Sequence, residues 1–484
     1  MLHAQLYING EWLDGASGAR QLRSNPARLS ETIGDYPLAT AEETEAAIHA
    51  AKEALMHWRS LPGVSRGEAL FRAAQRLEDE AEDIATLLSR EMGKPIGEAI
   101  GEVKRGVTLL RYYAGEGMRA LGETYPASDG QSMLYTNRVP LGVVGVITPW
   151  NFPVAIPVWK IAPALIYGNT VVWKPADPAS ITAYRLMQIF EKAGFPRGVI
   201  NMVTGKGTVV GQTIITHPYV QGITFTGSNE VGKQVARAAV ERGAKYQLEM
   251  GGKNPTIVAA DADLEKASTL TLSAAMRSAG QKCTATSRVI VERSVLESFT
   301  ALLLEKAKSV KLSDPLEPDC YLGPVVNQSQ QQSILEAIER GIRQGARLLT
   351  GGKAPEGELM NGCFIEPTIF DQVDPQSELA QHEIFGPVLS IIPADSLEHA
   401  LQIANDVEFG LSASIFTKDI DRMFVFLKHV EAGLIKINGE TAGVEPHAPF
   451  GGMKKSSSHS REQGRAAIEF FTAVQTISIS GSRL

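Results

Sequence analysis

Apolar and polar positions along this chain follow two rhythms, and the change between them marks its organisation. Thr40-Ala41-Glu42-Glu43 reads as a capping box, with Thr40 as N-cap and Glu43 reaching back, so an alanine-rich helix is expected to run to about Trp58. Helical spacing returns from about Arg66 to Glu91 and from Glu98 to Met118. From Tyr135 the texture changes: Gly142-Val143-Val144-Gly145-Val146-Ile147 and Thr170-Val171-Val172-Trp173-Lys174-Pro175 are continuous apolar runs of strand length, with a helix expected between them. The alternation continues with a helix over Ile181 to Ala193, a strand over Val199 to Val203, a helix over Thr208 to Thr216, a strand over Gly222 to Thr226 and a helix over Asn229 to Ala239. Strands and helices alternating at this size predict a parallel, doubly wound sheet, which binds ligands beyond the carboxyl ends of its strands. Beyond about Pro255, strands near Ser287 to Val291, Val388 to Ile392 and Gly433 to Asn438 predict a second α/β domain. The tail from Ala473 to Ser480 alternates as an edge strand does, and such an edge is open to another subunit. No repeat is visible, and Ser456-Ser457-Ser458-His459-Ser460 is too short for a linker.

Bulk properties narrow the partners. The chain has 484 residues, a net charge of -7, 44% hydrophobic and 21% charged residues, the profile of an ordinary globular protein with room for a large core. It offers no basic field for nucleic acid or an anionic membrane, so small-molecule partners are expected. The long apolar stretches around Val139 to Trp150 and Phe152 to Tyr167 are interrupted by prolines, polar residues and Lys160, and neither reads as a membrane span. The first residues show no basic region followed by an apolar core, so the cytoplasm is the expected compartment. Three cysteines, Cys283, Cys320 and Cys363, suit neither a disulfide framework nor a zinc site, and no metal is expected.

Candidate chemistry collects at strand ends. Cys283 follows Ser278-Ala279-Gly280-Gln281-Lys282, a small and polar approach on which Lys282 can help stabilise a thiolate; the competing reading is a small core residue. Thr148-Pro149-Trp150-Asn151-Phe152-Pro153 places an amide donor, Asn151, where an oxyanion could be received, or simply a turn-forming asparagine. Lys174 and Asp177 could hold the hydroxyls of a nucleotide ribose, the carboxylate repelling a 2′-phosphate. Phe225-Thr226-Gly227-Ser228, ahead of Gly232, is a strand, glycine turn and helix start suited to a pyrophosphate, and Gly205-Lys206-Gly207 with Gly211 is a weaker example. Glu249, in Leu248-Glu249-Met250-Gly251-Gly252-Lys253-Asn254-Pro255, is a general-base candidate if buried and otherwise an ion-pair partner.

Together these motifs resemble the aldehyde dehydrogenase superfamily over nearly the whole chain. The glutamate motif at Leu248 to Lys253, the nucleophile motif at Gly280 to Cys283, and the 34 positions between Glu249 and Cys283 match that family. Glu383-Ile384-Phe385-Gly386-Pro387-Val388, Asn438 and Pro449-Phe450-Gly451-Gly452-Met453-Lys454 resemble its later motifs. The resemblance implies an α/β fold with a Rossmann-type dinucleotide-binding domain (1–120 and 141–250), a second α/β catalytic domain (251–460) and a small β oligomerisation flap (121–140 and 461–484), assembled as a homodimer or homotetramer. It implies Cys283 as nucleophile, Asn151 as oxyanion donor, Glu249 as the water-activating base, and Lys160 with Glu462 as a proton-passing pair. Cofactor contacts are expected from Thr148, Pro149, Trp150, Lys174, Asp177, Gly207, Gly211, Phe225, Gly227, Ser228, Gly232, Glu249, Gly251, Glu383 and Phe385. Substrate contacts are expected from Asn151, Phe152, Trp159, Arg277, Lys282, Thr284, His447 and Phe450. Asp177 stands where the family has a glutamate that disfavours NADP, so NAD is the expected cofactor, with NADP possible because aspartate is shorter.

The stretches Gln281 to Val291 and Thr441 to Gly452 look most like the α-ketoglutaric semialdehyde (2,5-dioxopentanoate) branch, which also shares the Ser456-Ser457-Ser458 run in place of the usual Ser-Gly. Arg277 stands where succinic semialdehyde enzymes carry a carboxylate-gripping arginine, and a guanidinium fork suits a carboxylate, so an acid-bearing aldehyde is expected; a surface ion pair is the alternative. A second arginine of those enzymes is Trp159 here, against succinic semialdehyde. A CoA-acylating enzyme would not need Glu249, a cysteine hydrolase would need a histidine base near Cys283, and a non-catalytic nucleotide binder would not need the intact trio.

Overall fold

The computed structural model describes residues 1–480. Its first seven-stranded sheet has the order Lys245–Glu249, Val220–Thr226, Val143–Ile147, Thr170–Lys174, Ile200–Met202, Leu6–Ile8, Glu11–Leu13. The first five strands are parallel, and the two N-terminal strands extend the edge antiparallel. Helices cover both faces of such a sheet, which is why its central strands are unbroken apolar runs. Val143, Val144, Val146, Val171, Val172 and Trp173 are fully buried. Gly145 lets a helix press directly on the sheet, since a Cβ there would stand 2.5 Å from Ile214 Cγ2.

The second sheet has the order Arg347–Thr350, Thr368–Asp371, Val388–Ala394, Thr286–Glu292, Asn254–Val258, Ser412–Phe416, Leu434–Ile437, with only the first strand antiparallel to its neighbour. A third, antiparallel sheet pairs Thr472–Ile479 with Met133–Pro140, from Thr472 opposite Pro140 to Ile479 opposite Met133, and adds Thr124–Tyr125. The tail is thus an edge strand, as its alternation predicts. Of the expected flap segment 461–484, residues 481–484 lie outside the described residues.

Two local expectations change. The helix expected from Arg66 to Glu91 is two, Gly63–Asp79 and Ala81–Met92, because Glu80 leaves the helical region (φ -104, ψ 17). The helix expected over Thr208 to Thr216 is a wide turn, Gly207–Gly211, followed by the short helix Gln212–Thr216. The residues before Thr40 hold five strands, from the two residues of Leu2–His3 to the ten of Arg28–Pro37. The capping box at Thr40 forms with both of its hydrogen bonds, opening Ala41–Ser60.

One crossing ties the sheets together. The serine run returns to the edge of the first sheet, where the Met250 amide donates to the Ser456 carbonyl (2.8 Å) and the Ser458 amide to the Leu248 carbonyl (2.9 Å). Among the described residues, no helix is long and apolar enough to cross a membrane, and no cluster of three His, Cys, Asp or Glu side chains could hold a metal.

Candidate active site

Four parallel neighbours of the first sheet, ending at Ile147, Lys174, Thr226 and Glu249, bring the sequence motifs to one edge. Glu249 is buried there: its Oε2 accepts from the Ser457 hydroxyl (2.6 Å), while Oε1 has no partner. Burial and then the Glu462 carboxylate push its pKa well above the usual range. The expected pair forms: the buried Lys160 ammonium bonds Glu462 and also donates to Thr224 Oγ1 (2.9 Å).

Cys283 comes from the second sheet, on the loop before Thr286–Glu292. The helix Leu264–Met276 is followed by Ser278 (φ 55), Ala279 (φ 53) and Gly280 (φ 67), three successive left-handed residues. Such a run persists only where its surroundings impose it. The Glu98 carboxylate does so by accepting from the Ser278 amide (3.2 Å) and hydroxyl (2.5 Å), and a Cβ at Gly280 would stand 2.1 Å from the Gly386 carbonyl. Asn254 Nδ2 then donates to the carbonyls of Cys283 (2.7 Å) and Ala285 (2.9 Å). Asn151 Nδ2 reaches the same loop, donating to the Gln281 carbonyl at 3.0 Å.

The expected help from Lys282 is absent. Burial, with the carboxylates of Glu383 and Glu249, pushes the Cys283 thiol up to about 12, and Lys282, itself depressed by burial, faces the charges of Glu98 and Glu440. Cys283 stands in a turn closed by the Ala285 amide on the Lys282 carbonyl (3.0 Å), and Lys282 is not among the residues that line the cleft holding the sulfur.

A cleft of about 240 Å³ joins Cys283 and Asn151 to Pro149, Trp150, Gly227, Ser228, Gly251, Glu383 and Phe385. Phe385 is left-handed (φ 57) and sets its ring edge-on to Trp150, centroids 5.4 Å apart. Glu383 accepts from the Gly252 amide (3.0 Å) and lies so close to Gly251 that a Cβ there would be 2.3 Å from Oε2. Ser228 caps the helix Asn229–Glu241, and Lys174 Nζ is 3.3 Å from Asp177 Oδ1, with Gly211 alongside the lysine stem. Phe225 and Gly232 pack behind the glycine turn, where a Cβ at Gly232 would strike Met250 Sδ at 2.4 Å. Other expected residues stand apart: the Thr148 hydroxyl is occupied by Trp173 Nε1 (2.9 Å), and Gly207 is exposed at the start of its turn.

On its other side Cys283 packs with Phe450, Val444, Leu411 and Leu434, and Trp159 tilts against Phe450 at 5.3 Å. Trp159 Nε1 is buried without a partner. Thr284 is buried and its carbonyl accepts from Thr441 Oγ1 (2.7 Å). Arg277 is not in the cleft; its guanidinium lies 5.5 Å from the Tyr321 ring. His447 is exposed on the surface.

Two supports have no motif of their own in the sequence reading. Asn254 was a residue without a role. Lys94, buried with Glu102 as an ion pair, donates to the Asn151 carbonyl (3.0 Å) and sits 3.8 Å over the Phe152 ring. Glu102 in turn accepts from the amides of Val154 (2.8 Å) and Ala155 (3.1 Å). A lysine between Gly93 and Pro95, at a helix break, is the one signal that could point to it.

A cysteine, an amide donor and a buried carboxylate beside a cleft at the strand ends of a parallel sheet fit the class of cysteine-dependent oxidoreductases. The aldehyde dehydrogenase family model matches residues 12–477, and the chain belongs to that family. It is 54% identical to an alpha-ketoglutaric semialdehyde dehydrogenase of Bacillus subtilis over 97% of both chains. It is 41% identical to an alpha-ketoglutarate semialdehyde dehydrogenase of Haloferax volcanii, covering 97% of this chain and 98% of the relative. The crystal structure of an NAD-dependent aldehyde dehydrogenase from Sinorhizobium meliloti superposes with a TM-score of 0.97 at 33% identity, covering all of this chain and 96% of that one.

Proposed function

We propose that this chain oxidises α-ketoglutaric semialdehyde to 2-oxoglutarate through a covalent adduct on Cys283, using NAD in preference to NADP. The observation that carries this reading is the convergence of Cys283, the Asn151 amide and the buried Glu249 carboxylate from two different sheets. The names of the Bacillus and Haloferax relatives support the substrate, and that of the Sinorhizobium structure supports NAD.

Cys283, as thiolate, forms a bond to the carbonyl carbon, and the oxygen becomes an oxyanion held by Asn151 Nδ2 and the Cys283 amide. A nicotinamide held near Glu383 and Phe385 would supply the hydride acceptor for that carbon, and Cys283 then carries the acyl group as a thioester. Glu249 takes a proton from water as the water oxygen bonds the acyl carbon; the carbon–sulfur bond then breaks, its electron pair returns to Cys283 and the acid leaves. Lys160 and Glu462 carry the proton away from Glu249. The residues fit the dinucleotide: the capped helix start at Ser228 suits a pyrophosphate, Asp177 with Lys174 suits ribose hydroxyls, and Glu383 suits the second ribose. Trp159, Phe450 and Val444 would line the aldehyde side, and Arg277 and Lys282 are the cations we assign to a substrate carboxylate.

The first sheet acts as the cofactor domain and the second as the catalytic domain. Edge strand Thr472–Ile479, with Met133, Val474 and Ile479 exposed, serves subunit assembly as a dimer or tetramer in the cytoplasm. The test is a comparison of kcat/KM for 2,5-dioxopentanoate, succinic semialdehyde and propanal with NAD and NADP, each with and without CoA. The semialdehyde of five carbons should lead without CoA, and an acyl adduct should map to Cys283. Equal preference for propanal refutes the substrate, a requirement for CoA refutes the hydrolytic step, and an adduct on Cys320 or Cys363 refutes the nucleophile.

A further inference from the structure

The hydroxyl of Ser457 is bound on both sides. Its oxygen accepts from the Gly452 amide at 2.6 Å, and 2.6 Å away on the other side lies Glu249 Oε2. An amide cannot accept, so the hydroxyl proton has one direction left, and it points at the carboxylate. Gly452 packs so closely that a Cβ there would stand 2.9 Å from the Gly410 carbonyl, and the flanking backbone bonds of Ser456 and Ser458 to Met250 and Leu248 fix where Ser457 stands. Glu249 Oε1, by contrast, is buried and unpartnered.

We infer that Ser457 is a positioning residue for the general base: it anchors Oε2 in its ionised form and leaves Oε1 as the one oxygen free to take the proton from water. This rests on Glu249 being the base, as proposed above. The groups facing the carboxylate explain why an anchor matters. Glu462 repels its charge, Lys160 and Arg461 oppose that repulsion, and Cys283 adds no cation. Burial and Glu462 favour the protonated, inactive form, and the serine hydroxyl works against them because a donor stabilises the charged state. After proton capture at Oε1, the hydroxyl still donates to Oε2, so the cycle demands no rearrangement at Ser457.

The consequence is a shift in the acid limb of thioester hydrolysis. A donor to a charged group is worth about one pKa unit or somewhat more, so its loss should raise the limb by about one pH unit and slow hydrolysis about tenfold on the limb. The experiment loads wild type, E249Q, S457A and S457T with 2,5-dioxopentanoate and NAD, or with the best aldehyde of the substrate screen. Decay of the acyl-enzyme is then followed by rapid quench and intact mass across a pH series. S457A should form the adduct as fast as wild type and lose it slowly at acid pH, with the rate recovering at alkaline pH, and S457T should restore the limb. S457C, which keeps the size but donates weakly, carries the same expectation if S457A does not fold. An unshifted limb in the variants lacking the hydroxyl, beside an arrested E249Q, overturns the role of Ser457 alone. Undiminished decay in E249Q overturns the base itself.

Discussion

The Lys94–Glu102 pair gives the sharpest test of how the oxyanion donor is held. Both side chains are 1% exposed, and between them they bind the Asn151 carbonyl and the amides of Val154 and Ala155, so the whole turn that carries Asn151 hangs from one buried ion pair. Lys94→Met leaves the Glu102 charge uncompensated in the interior, and Glu102→Gln does the same to Lys94; each should cost about 3–5 kcal/mol of stability. The double variant removes both charges, so it should be more stable than the sum of the single losses predicts, with a coupling of about 2 kcal/mol. Catalysis should suffer separately, because a donor displaced by about 1 Å can cost up to a hundredfold in rate. Stopped-flow measurement of the first turnover at the nicotinamide absorbance, beside urea unfolding, reads both effects. The acylation rate of K94M should fall between about ten- and a hundredfold while the KM for NAD changes little. A K94M burst within about twofold of wild type, or a double variant whose loss simply equals the sum of the two single losses, would refute this account.

Three further outcomes follow from the site. With its thiol pushed up to about 12, the free enzyme should react with iodoacetamide at a rate that climbs by about tenfold per pH unit through pH 9, and a plateau near neutrality would contradict it. In Gly251→Ala the new methyl stands 2.3 Å from Glu383 Oε2, the far end of a flexible side chain, so the fold should survive while Glu383 moves; the KM for NAD should rise about tenfold with little change in melting temperature. Asp177→Ala removes the charge that opposes a 2′-phosphate, and the ratio of kcat/KM for NADP to that for NAD should increase about tenfold, an unchanged ratio placing cofactor choice elsewhere.

The sheets were readable because their interior strands are buried on both faces: Val143–Ile147 and Thr170–Lys174 announce themselves as apolar runs, and the residues just after them fall at one edge by topology alone. The first three N-terminal strands and the break at Glu80 were not readable, since two or three residues define no period and a single non-helical φ leaves no mark on composition. Cys283 and Glu249 stood out through family motifs. Ser457 did so only as a departure, and its contact with a residue 208 positions away has no local signature. Lys282 is the opposite case: adjacency in sequence suggests a thiolate partner, whereas the charges it faces are those of Glu98 and Glu440 and it does not line the cleft with Cys283. Buried charge pairs such as Lys94 with Glu102 are the least legible class, because a lysine or glutamate in isolation reads as surface.

The deeper organisation lies in a single helix, Ile96–Glu116, that touches none of the chemistry. Glu98 and Glu102 stand one turn apart on it, so their carboxylates share a face. Glu98 holds the amide and hydroxyl of Ser278, at the left-handed run that delivers Cys283; Glu102 holds the helix start behind Asn151 and the lysine that binds the Asn151 carbonyl. Cys283, the proposed nucleophile, belongs to the second sheet and Asn151, the proposed oxyanion donor, to the first, yet both are tied to the same helix. Their separation is therefore braced by the i and i+4 carboxylates as well as by the bond from Asn151 Nδ2 to the Gln281 carbonyl (3.0 Å). Preorganisation of this kind is what electrostatic stabilisation needs, because a donor that must move to meet developing charge loses much of its advantage. The left-handed strain at Ser278 and Ala279 is sustained by the same arrangement: Glu98 ties the run from one side and Asn254 clamps the Cys283 carbonyl from the other, so the loop has no relaxed alternative that keeps both bonds.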